Sequence, residues 1–166
     1  MGIAIGIPLL AILAILQSSI VNNLTLLDGR PDLILLAIVA WGLTGRSRDS
    51  MVWGLIGGLL LDVLSGFPFG MSSIILISLA FLVSLLEQRF WEAHFLMPLG
   101  VTLIVSILYH AMQGFTLWFI GQPMDLMTAL YRVLLPSTFL NILLALPAGQ
   151  LASALHALLF PDEVKI

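Results

Sequence analysis

The stretch GLIGGLLLDVLSGFPFG, residues 54–70, places one carboxylate inside an apolar run, with glycines before it and a Gly/Pro turn after it. A carboxylate near the middle of a bilayer costs about 2.5 to 3.5 kcal/mol on insertion scales, so such a group usually faces protein or water. Gly54, Gly58 and Asp62 follow one another at i, i+4 and i+8, and therefore lie on one helix face. Small residues at this spacing allow another helix to approach closely. The sequence thus predicts that Asp62 lies in a helix contact and not in lipid.

The composition predicts an integral membrane protein. Of the 166 residues, 60% are hydrophobic and 9% are charged, against about a quarter charged in an ordinary soluble domain. A soluble core in so short a chain could not cover this much apolar surface. The net charge is only −3 and no basic stripe is present, so nothing indicates nucleic-acid binding. The chain contains no cysteine, which excludes thiolate metal sites and cysteine nucleophiles.

Six apolar segments predict an all-α, polytopic membrane protein with six transmembrane helices, some short or kinked, in a single integral membrane domain over residues 1–166. A straight crossing needs about 20 residues, and the second and third segments are shorter, so we expect them to form a hairpin that is tilted or does not cross fully. The last segment is too long for one crossing, and Pro136 and Pro147 are expected to kink it or to cut off a piece at either end. The predicted spans cover residues 2–21, 32–43, 51–65, 71–86, 95–120 and 126–160.

Residues at the ends of these segments predict further details. Pro31 suits the first position of the second helix, and Asp32 suits the positive end of that helix. Trp41 and Trp53 flank a polar group, as residues of an interfacial aromatic belt do. Residues 87–94 carry mixed charges and are interpreted as a solvated loop.

The distribution of basic residues predicts the orientation in the membrane. Four of them lie on the side that holds both termini and two lie on the other side, which favours cytoplasmic termini under the positive-inside rule. The four are Arg46, Arg48, Arg89 and Lys165, and the two are Arg30 and Arg132.

Neither a catalytic site nor a metal site is predicted. The three histidines stand in separate segments, without the His-Glu-x-x-His spacing of a zinc protease. An intramembrane aspartyl protease needs a second carboxylate beside Asp62, and the other aspartates fall in loops or at helix ends. The pair Ser65-Gly66 lacks the companions of a serine nucleophile. We therefore expect a non-enzymatic protein without a cofactor.

The fifth span carries a polar face. Thr102, Ser106, Tyr109 and Gln113 recur at i, i+4, i+7 and i+11, with His110 beside them. These residues either line a ligand pocket or a water-filled cavity, or form hydrogen bonds between helices, at about 0.6 kcal/mol per bond in membranes. The second interpretation is favoured and the first stays open.

Parts of the chain resemble a known family. The motif Gly-Gly-Leu-Leu-Leu-Asp-Val-Leu-Ser-Gly-x-Pro-x-Gly at residues 57–70, the Arg-Pro-Asp-Leu at residues 30–33 and the layout of six apolar segments are similar to the bacterial rod-shape-determining protein MreD. Likeness at the level of single residues is concentrated in residues 28–70. Within residues 28–70, the resemblance suggests a structural motif that supports partner binding. Its members are Pro31, Asp32, Gly54, Gly58, Asp62, Gly66, Pro68 and Gly70.

This resemblance implies a non-enzymatic scaffold or regulatory subunit of the bacterial cell-elongation (rod) complex, supporting peptidoglycan synthesis and rod shape. The first implied partner is MreC, a bitopic periplasmic protein. RodA and a class B penicillin-binding protein are implied as partners that bind directly or through MreC. MreB filaments are implied as indirect partners, and membrane lipids surround the protein. The implied location is the bacterial cytoplasmic (inner) membrane. MreD-like proteins are also similar in fold to the substrate-binding subunits of energy-coupling-factor transporters. A vitamin-binding transporter subunit is therefore the alternative function, with the polar face of the fifth span lining its pocket.

Overall fold

The computed structural model describes residues 2–19, 27–89, 96–122 and 125–160. In these ranges the chain forms helices and turns without an extended strand, which confirms the all-α prediction. The helices are α1 (Gly2–Ser19), α2 (Leu33–Gly42), α3 (Ser47–Ser65), α4 (Met71–Arg89), α5 (Leu96–Phe119) and α6 (Leu126–Leu159). Within α6, a π-helical segment Ala129–Leu134 separates Leu126–Thr128 from Leu135–Leu159.

The helices have the length and surface of a polytopic membrane protein. By length and composition, α1, α5 and α6 can each cross a membrane, while α2 and most of α4 are shorter apolar helices. Large apolar side chains are exposed around the bundle, among them Phe115, Phe119 and Leu158. An apolar outer surface of this extent is unfavourable in water and is covered by lipid in a membrane.

The short helix α2 lies at the centre of the bundle. It packs against α1, α3, α4, α5 and α6, and eight of its ten residues are buried. A helix that is apolar on all sides is stable only when neighbours surround it. α2 and α3 pack against each other, as expected for a hairpin of the second and third spans, and the tilt of that hairpin stays a prediction. The most extensive pairing of α3 is with α4, whereas α2 is shared among five helices.

Trp41 and Trp53 belong to the core and not to an interfacial belt, so that expectation is wrong. Their rings stack with centroids 4.7 Å apart at an angle of 15°, and both side chains are buried. Trp53 donates its Nε1–H to the carbonyl oxygen of Gly2 at 3.3 Å. A Cβ atom at Gly6 would lie 2.0 Å from this Nε1, so the glycine makes room for the ring. The short connection between α2 and α3 directs both tryptophans into the contact with α1.

Two helix boundaries differ from those predicted. α2 begins at Leu33, so Pro31 precedes the helix by two residues and does not occupy its first position. α4 continues to Arg89, and Glu87 is therefore a buried helical residue and not part of a solvated loop. Residues 90–94 of that predicted loop lie outside the described residues.

The last helix passes through both prolines without a break. Pro136 has no N–H to donate to the preceding turn, and the π-helical segment ends directly before Leu135. A π turn changes the hydrogen-bonding partners at the place where a donor is missing. The idea that either proline cuts off a separate piece is therefore wrong.

At the start of α6, Asp125 accepts the backbone N–H of Thr128 at 3.0 Å. Hydrogen bonds from Thr128 hold the pKa of Asp125 below its ordinary value.

Candidate functional site

The carboxylate of Asp62 binds the start of the next helix. Its Oδ2 accepts the backbone N–H of Gly70 at 2.7 Å, and its Oδ1 accepts that of Ser72 at 3.2 Å. The first N–H groups of a helix have no partner within the helix, and a negative charge is favourable there. Asp62 is 3% exposed. We call Asp62, the turn of residues 66–70 and Ser72 the α3–α4 joint.

Two glycines allow the chain to turn within the α3–α4 joint. Gly66 ends α3 with φ of +69°, and Gly70 precedes α4 with φ of +89°. Both values lie in the left-handed region, which glycine enters without the steric penalty of a Cβ atom. Between them, the carbonyl oxygen of Pro68 accepts the N–H of Met71 at 3.1 Å. The turn thus places the Gly70 N–H in front of Asp62.

The glycines that precede Asp62 bring α3 against the backbone of α4. A Cβ atom at Gly58 would lie 2.3 Å from the Cα of Ser73, and one at Gly54 would lie 3.1 Å from the backbone of Leu76. Ser73 in turn donates its hydroxyl to the carbonyl oxygen of Leu55 at 3.0 Å. The predicted close helix approach on the face of Asp62 is confirmed. The hairpin involved is that of α3 and α4, because Asp62 stands at the end of α3 that meets α4.

A second carboxylate, that of the half-buried Asp32, joins side chains from three other helices. Its backbone N–H donates to Asn141 Oδ1 at 2.8 Å, while Asn141 Nδ2 donates to Asp32 Oδ2 at 3.3 Å and to Ser106 Oγ at 3.1 Å. His110 Nε2 lies 3.3 Å from the same Oδ2, in electrostatic contact but without the alignment of a hydrogen bond. Gln17 Nε2 donates to Asp32 Oδ1 at 3.3 Å. We call these five residues the Asp32 cluster.

The start of α2 is capped from outside the helix. Asp32 occupies the N-cap position, yet its side chain accepts no N–H of the first turn. The N–H of Ile34 instead donates to Gln17 Oε1 at 3.2 Å, from α1. Asp32 therefore lies at the start of α2, as expected, but its side chain contacts residues of α5 and α6 and does not cap the helix.

The segment before α2 is tied to α6 by further bonds. The backbone N–H of Arg30 donates to Ser137 Oγ at 2.9 Å, and the N–H of Asp28 donates to the carbonyl oxygen of Arg132 at 3.1 Å. Asp28 and Arg132 also form an exposed ion pair at 3.7 Å. These contacts extend the Asp32 cluster toward the π-helical segment of α6.

The polar face of α5 is divided between the Asp32 cluster and the neighbouring core. Ser106 and His110 contact Asn141 and Asp32 respectively. Thr102 and Tyr109 are buried and Gln113 is half-buried on the same helix. The sequence predicted this face but missed Gln17 and Asn141, its partners on α1 and α6. Their signal was a polar side chain within an apolar span, which generally faces protein.

The described polar groups join helices to one another. Among the described residues, no group of three or more His, Cys, Asp or Glu side chains could hold a metal ion. The carboxylates of Asp32 and Asp62 are both engaged by donors from neighbouring helices or their first turns. The fold and these contacts define a polytopic helical membrane protein whose buried polar residues hold its own helices in place.

Comparison with protein families identifies the family within this class to which the chain belongs. The family model described as rod shape-determining protein MreD matches residues 3–152 of the 166-residue chain. The chain therefore belongs to the MreD family of rod shape-determining membrane proteins. No curated protein and no solved structure matches it.

Proposed function

We propose that the protein is a non-enzymatic scaffold of the bacterial rod complex that binds MreC and, directly or through MreC, RodA and a class B penicillin-binding protein. The family match over residues 3–152 carries this proposal. The engagement of Asp32 and Asp62 in helix contacts agrees with it, because a general acid or base must instead reach a substrate. In this role the protein supports peptidoglycan synthesis and lies above the MreB filaments.

The α3–α4 joint suggests where a partner binds. Val63, Phe69 and Ile74 stand around it with 70%, 75% and 59% of their side chains exposed. These residues form an apolar edge whose position depends on the two hydrogen bonds of Asp62. We propose that MreC recognises this edge, since a rigid apolar surface binds a transmembrane helix with little loss of conformational entropy.

Affinity purification of the tagged protein from its native membrane tests the function. We expect MreC to co-purify with the parent chain and to be reduced by charged substitutions at the apolar edge, such as Val63→Lys and Ile74→Lys. Leu158→Lys provides a matched control, because Leu158 is also exposed but lies at the far end of α6. Recovery of a bound vitamin-like compound without MreC would contradict the scaffold and favour the transporter subunit.

We further propose an inner-membrane location with both termini in the cytoplasm. This orientation places the start of α3 in the cytoplasm, together with Arg46 and Arg48. A cysteine in place of Ser47 should be protected from an impermeant thiol reagent in whole cells, and one in place of Thr25 should be labelled. Labelling of the Ser47 site from outside would reverse the topology.

The alternative of a vitamin-binding subunit loses its main support from the sequence. It required the polar face of α5 to line a ligand pocket. Ser106 and His110 are instead directed at Asn141 and Asp32. We therefore retain the scaffold as the proposed function.

A further inference from the structure

A groove of about 450 Å³ lies between α1 and α6. Both helices pack against α2, but within the described residues they make no extensive contact with each other. α2 therefore forms the floor of the groove, with Leu36, Ala37 and Ala40. Leu151 of α6 lines the groove with 72% of its side chain exposed, so the groove opens on the outer surface of the bundle. We call this cavity the α1–α6 groove.

The wall of the α1–α6 groove is suited to hydrocarbon. Every described residue that lines it is Leu, Ala, Pro or Trp. The indole N–H of Trp53 is donated to Gly2, and Nε1 of Trp41 is itself buried, so neither is offered on the wall. A polar ligand would lose its hydrogen bonds with water on entering and would gain none in return. Apolar cavities of this kind stay dry and bind apolar molecules.

The length of the α1–α6 groove favours an acyl chain over a helix that crosses the membrane. On α6 the lining residues run from Leu144 to Leu155, which is about 16 Å at a rise of about 1.5 Å per residue. The hydrocarbon core of a bilayer is about 30 Å thick, so the groove has the length of one leaflet. A helix that runs beside α1 and α6 across the membrane would extend over both leaflets. One acyl chain extends over one leaflet only.

The two ends of the α1–α6 groove differ in charge. The stacked rings of Trp41 and Trp53 line the end where α2 joins α3. Ring contacts continue from Trp41 to His156 and on to Phe160. The guanidinium of Arg46 lies over the Phe160 ring. This end therefore has a basic side chain, which attracts lipid phosphate, whereas leucine side chains line the opposite end.

We propose that the α1–α6 groove binds one acyl chain of a membrane phospholipid, with the phosphate on the side of Arg46 and the terminal methyl group toward Leu33. The wall complements the chain in polarity, and Arg46 complements the phosphate in charge. The proposal goes beyond the scaffold function and does not depend on it, because the groove lies mainly on α1, α2 and α6 and not at the α3–α4 joint.

Quenching of tryptophan fluorescence by brominated phospholipid tests the site. In a protein that carries Trp91→Phe and Trp118→Phe, the remaining indoles are those of Trp41 and Trp53, which are buried and line the groove. The bilayer lipid carries bromine on its acyl chain, either near the headgroup or near the terminal methyl group. We expect stronger quenching by bromine near the headgroup, because the two indoles lie at the end next to Arg46. The reverse order would contradict the orientation, and the absence of quenching by either lipid would contradict the site.

A filled groove provides the control for contact with the surrounding bilayer. Ala148→Phe combined with Ala152→Phe in the same background should reduce the quenching to less than half, because both alanines line the groove. The matched control combines Ala154→Phe with Ala157→Phe, since these alanines are exposed on the same helix but are not among the lining residues. Equal quenching in the filled variant and in the control would overturn the proposal.

Native mass spectrometry of the protein released from its native membrane gives an independent measurement. We expect the parent chain and the control variant to retain one phospholipid and the filled variant to retain none. A second copy of the chain is the competing occupant of the groove. The chain contains no cysteine, so a single Ala148→Cys substitution reports a neighbouring copy by disulfide formation. A disulfide-linked dimer in native membranes, together with no phospholipid retained by the parent, would overturn the proposal.

Discussion

The α3–α4 joint and the Asp32 cluster stabilise two carboxylates between helices in different ways. Asp62 is bound by backbone N–H groups that follow it by eight and ten residues. Asp32 is bound mainly by side chains, including Asn141, which is 109 residues away. The first arrangement is local and depends on a turn of fixed shape. The second depends on the correct packing of α1, α5 and α6 around α2.

The two regions are expected to differ in how much stability is lost when their carboxylates are replaced. In the α3–α4 joint the donors are main-chain groups at a helix start, and water near the turn can replace part of what Asp62 provides. In the Asp32 cluster the donors are side chains held between helices. If Asp32 is lost, Gln17 Nε2 loses its acceptor and Asn141 Nδ2 keeps Ser106 Oγ. We therefore expect the packing of α3 on α4 to be the most sensitive feature, the Asp32 cluster the next, and the hydrogen bonds of Asp62 the least sensitive for stability alone.

The largest loss of stability is expected for Gly58→Leu. The added Cβ atom would lie 2.3 Å from the Ser73 Cα, and backbone cannot move aside as a side chain can. We expect destabilisation at or above the upper end of about 1–3 kcal/mol for overpacking, with a low yield of folded protein. Thermal unfolding in detergent measures this against Gly100→Leu, which has open space. Equal melting of the two variants would mean that α3 and α4 are not in close contact.

Asp32→Leu is expected to destabilise by about 2 kcal/mol. It removes the acceptor of Gln17 Nε2, one of the two acceptors of Asn141 Nδ2, and the carboxylate that lies near His110. Asp32→Asn keeps one oxygen acceptor and should lose less. Chemical unfolding in mixed micelles gives the two values. An Asp32→Leu variant as stable as the parent would show that the cluster does not hold the helices together.

Asp62→Leu is expected to cost about 1 kcal/mol, less than Asp32→Leu. It removes the acceptor of the Gly70 and Ser72 N–H groups at the start of α4. The loss should be local, so hydrogen exchange should accelerate at the first turn of α4 while α2 remains protected. Uniform acceleration across the bundle would contradict the local character of the α3–α4 joint.

Double-mutant cycles test whether the α3–α4 joint and the Asp32 cluster contribute independently to stability. The expected coupling energy is smaller than the effects of the single substitutions. The side chains of Asp32 and Asn141 share one direct hydrogen bond, so the effects of Asp32→Leu and Asn141→Ala should be coupled by about 0.6 kcal/mol. Asp62 and Asn141 share no hydrogen bond within the described residues, and the effects of Asp62→Asn and Asn141→Ala should be additive. Similar coupling energies in the two cycles would mean that the regions form one unit.

The same contrast explains what could be predicted from the sequence. Gly54, Gly58 and Asp62 lie within one short segment, so helical spacing was sufficient to predict a close helix contact at Asp62. Asp32 meets Asn141 only because five helices pack in one arrangement around α2. No periodicity within either segment contains that information.

Other differences have the same origin. Trp41 and Trp53 had the spacing of an interfacial belt, and only the packing of α1 against α3 shows that they stack in the core. Glu87 looked like part of a solvated loop because charged residues follow it, yet α4 continues past it. Local composition predicts polarity well, but burial depends on which distant helices are neighbours.

Asp62 is proposed to fix the edge that MreC recognises, and complementation of a strain lacking the chromosomal copy tests this role most directly. Asp62→Asn, Asp62→Leu and the control Asp28→Asn, which alters an exposed carboxylate, are compared at equal membrane levels. We predict that rod-shape rescue and MreC co-purification fall together in the order parent, Asn, Leu, with Asp28→Asn equal to the parent. Full MreC binding and shape rescue by Asp62→Leu would contradict the claim.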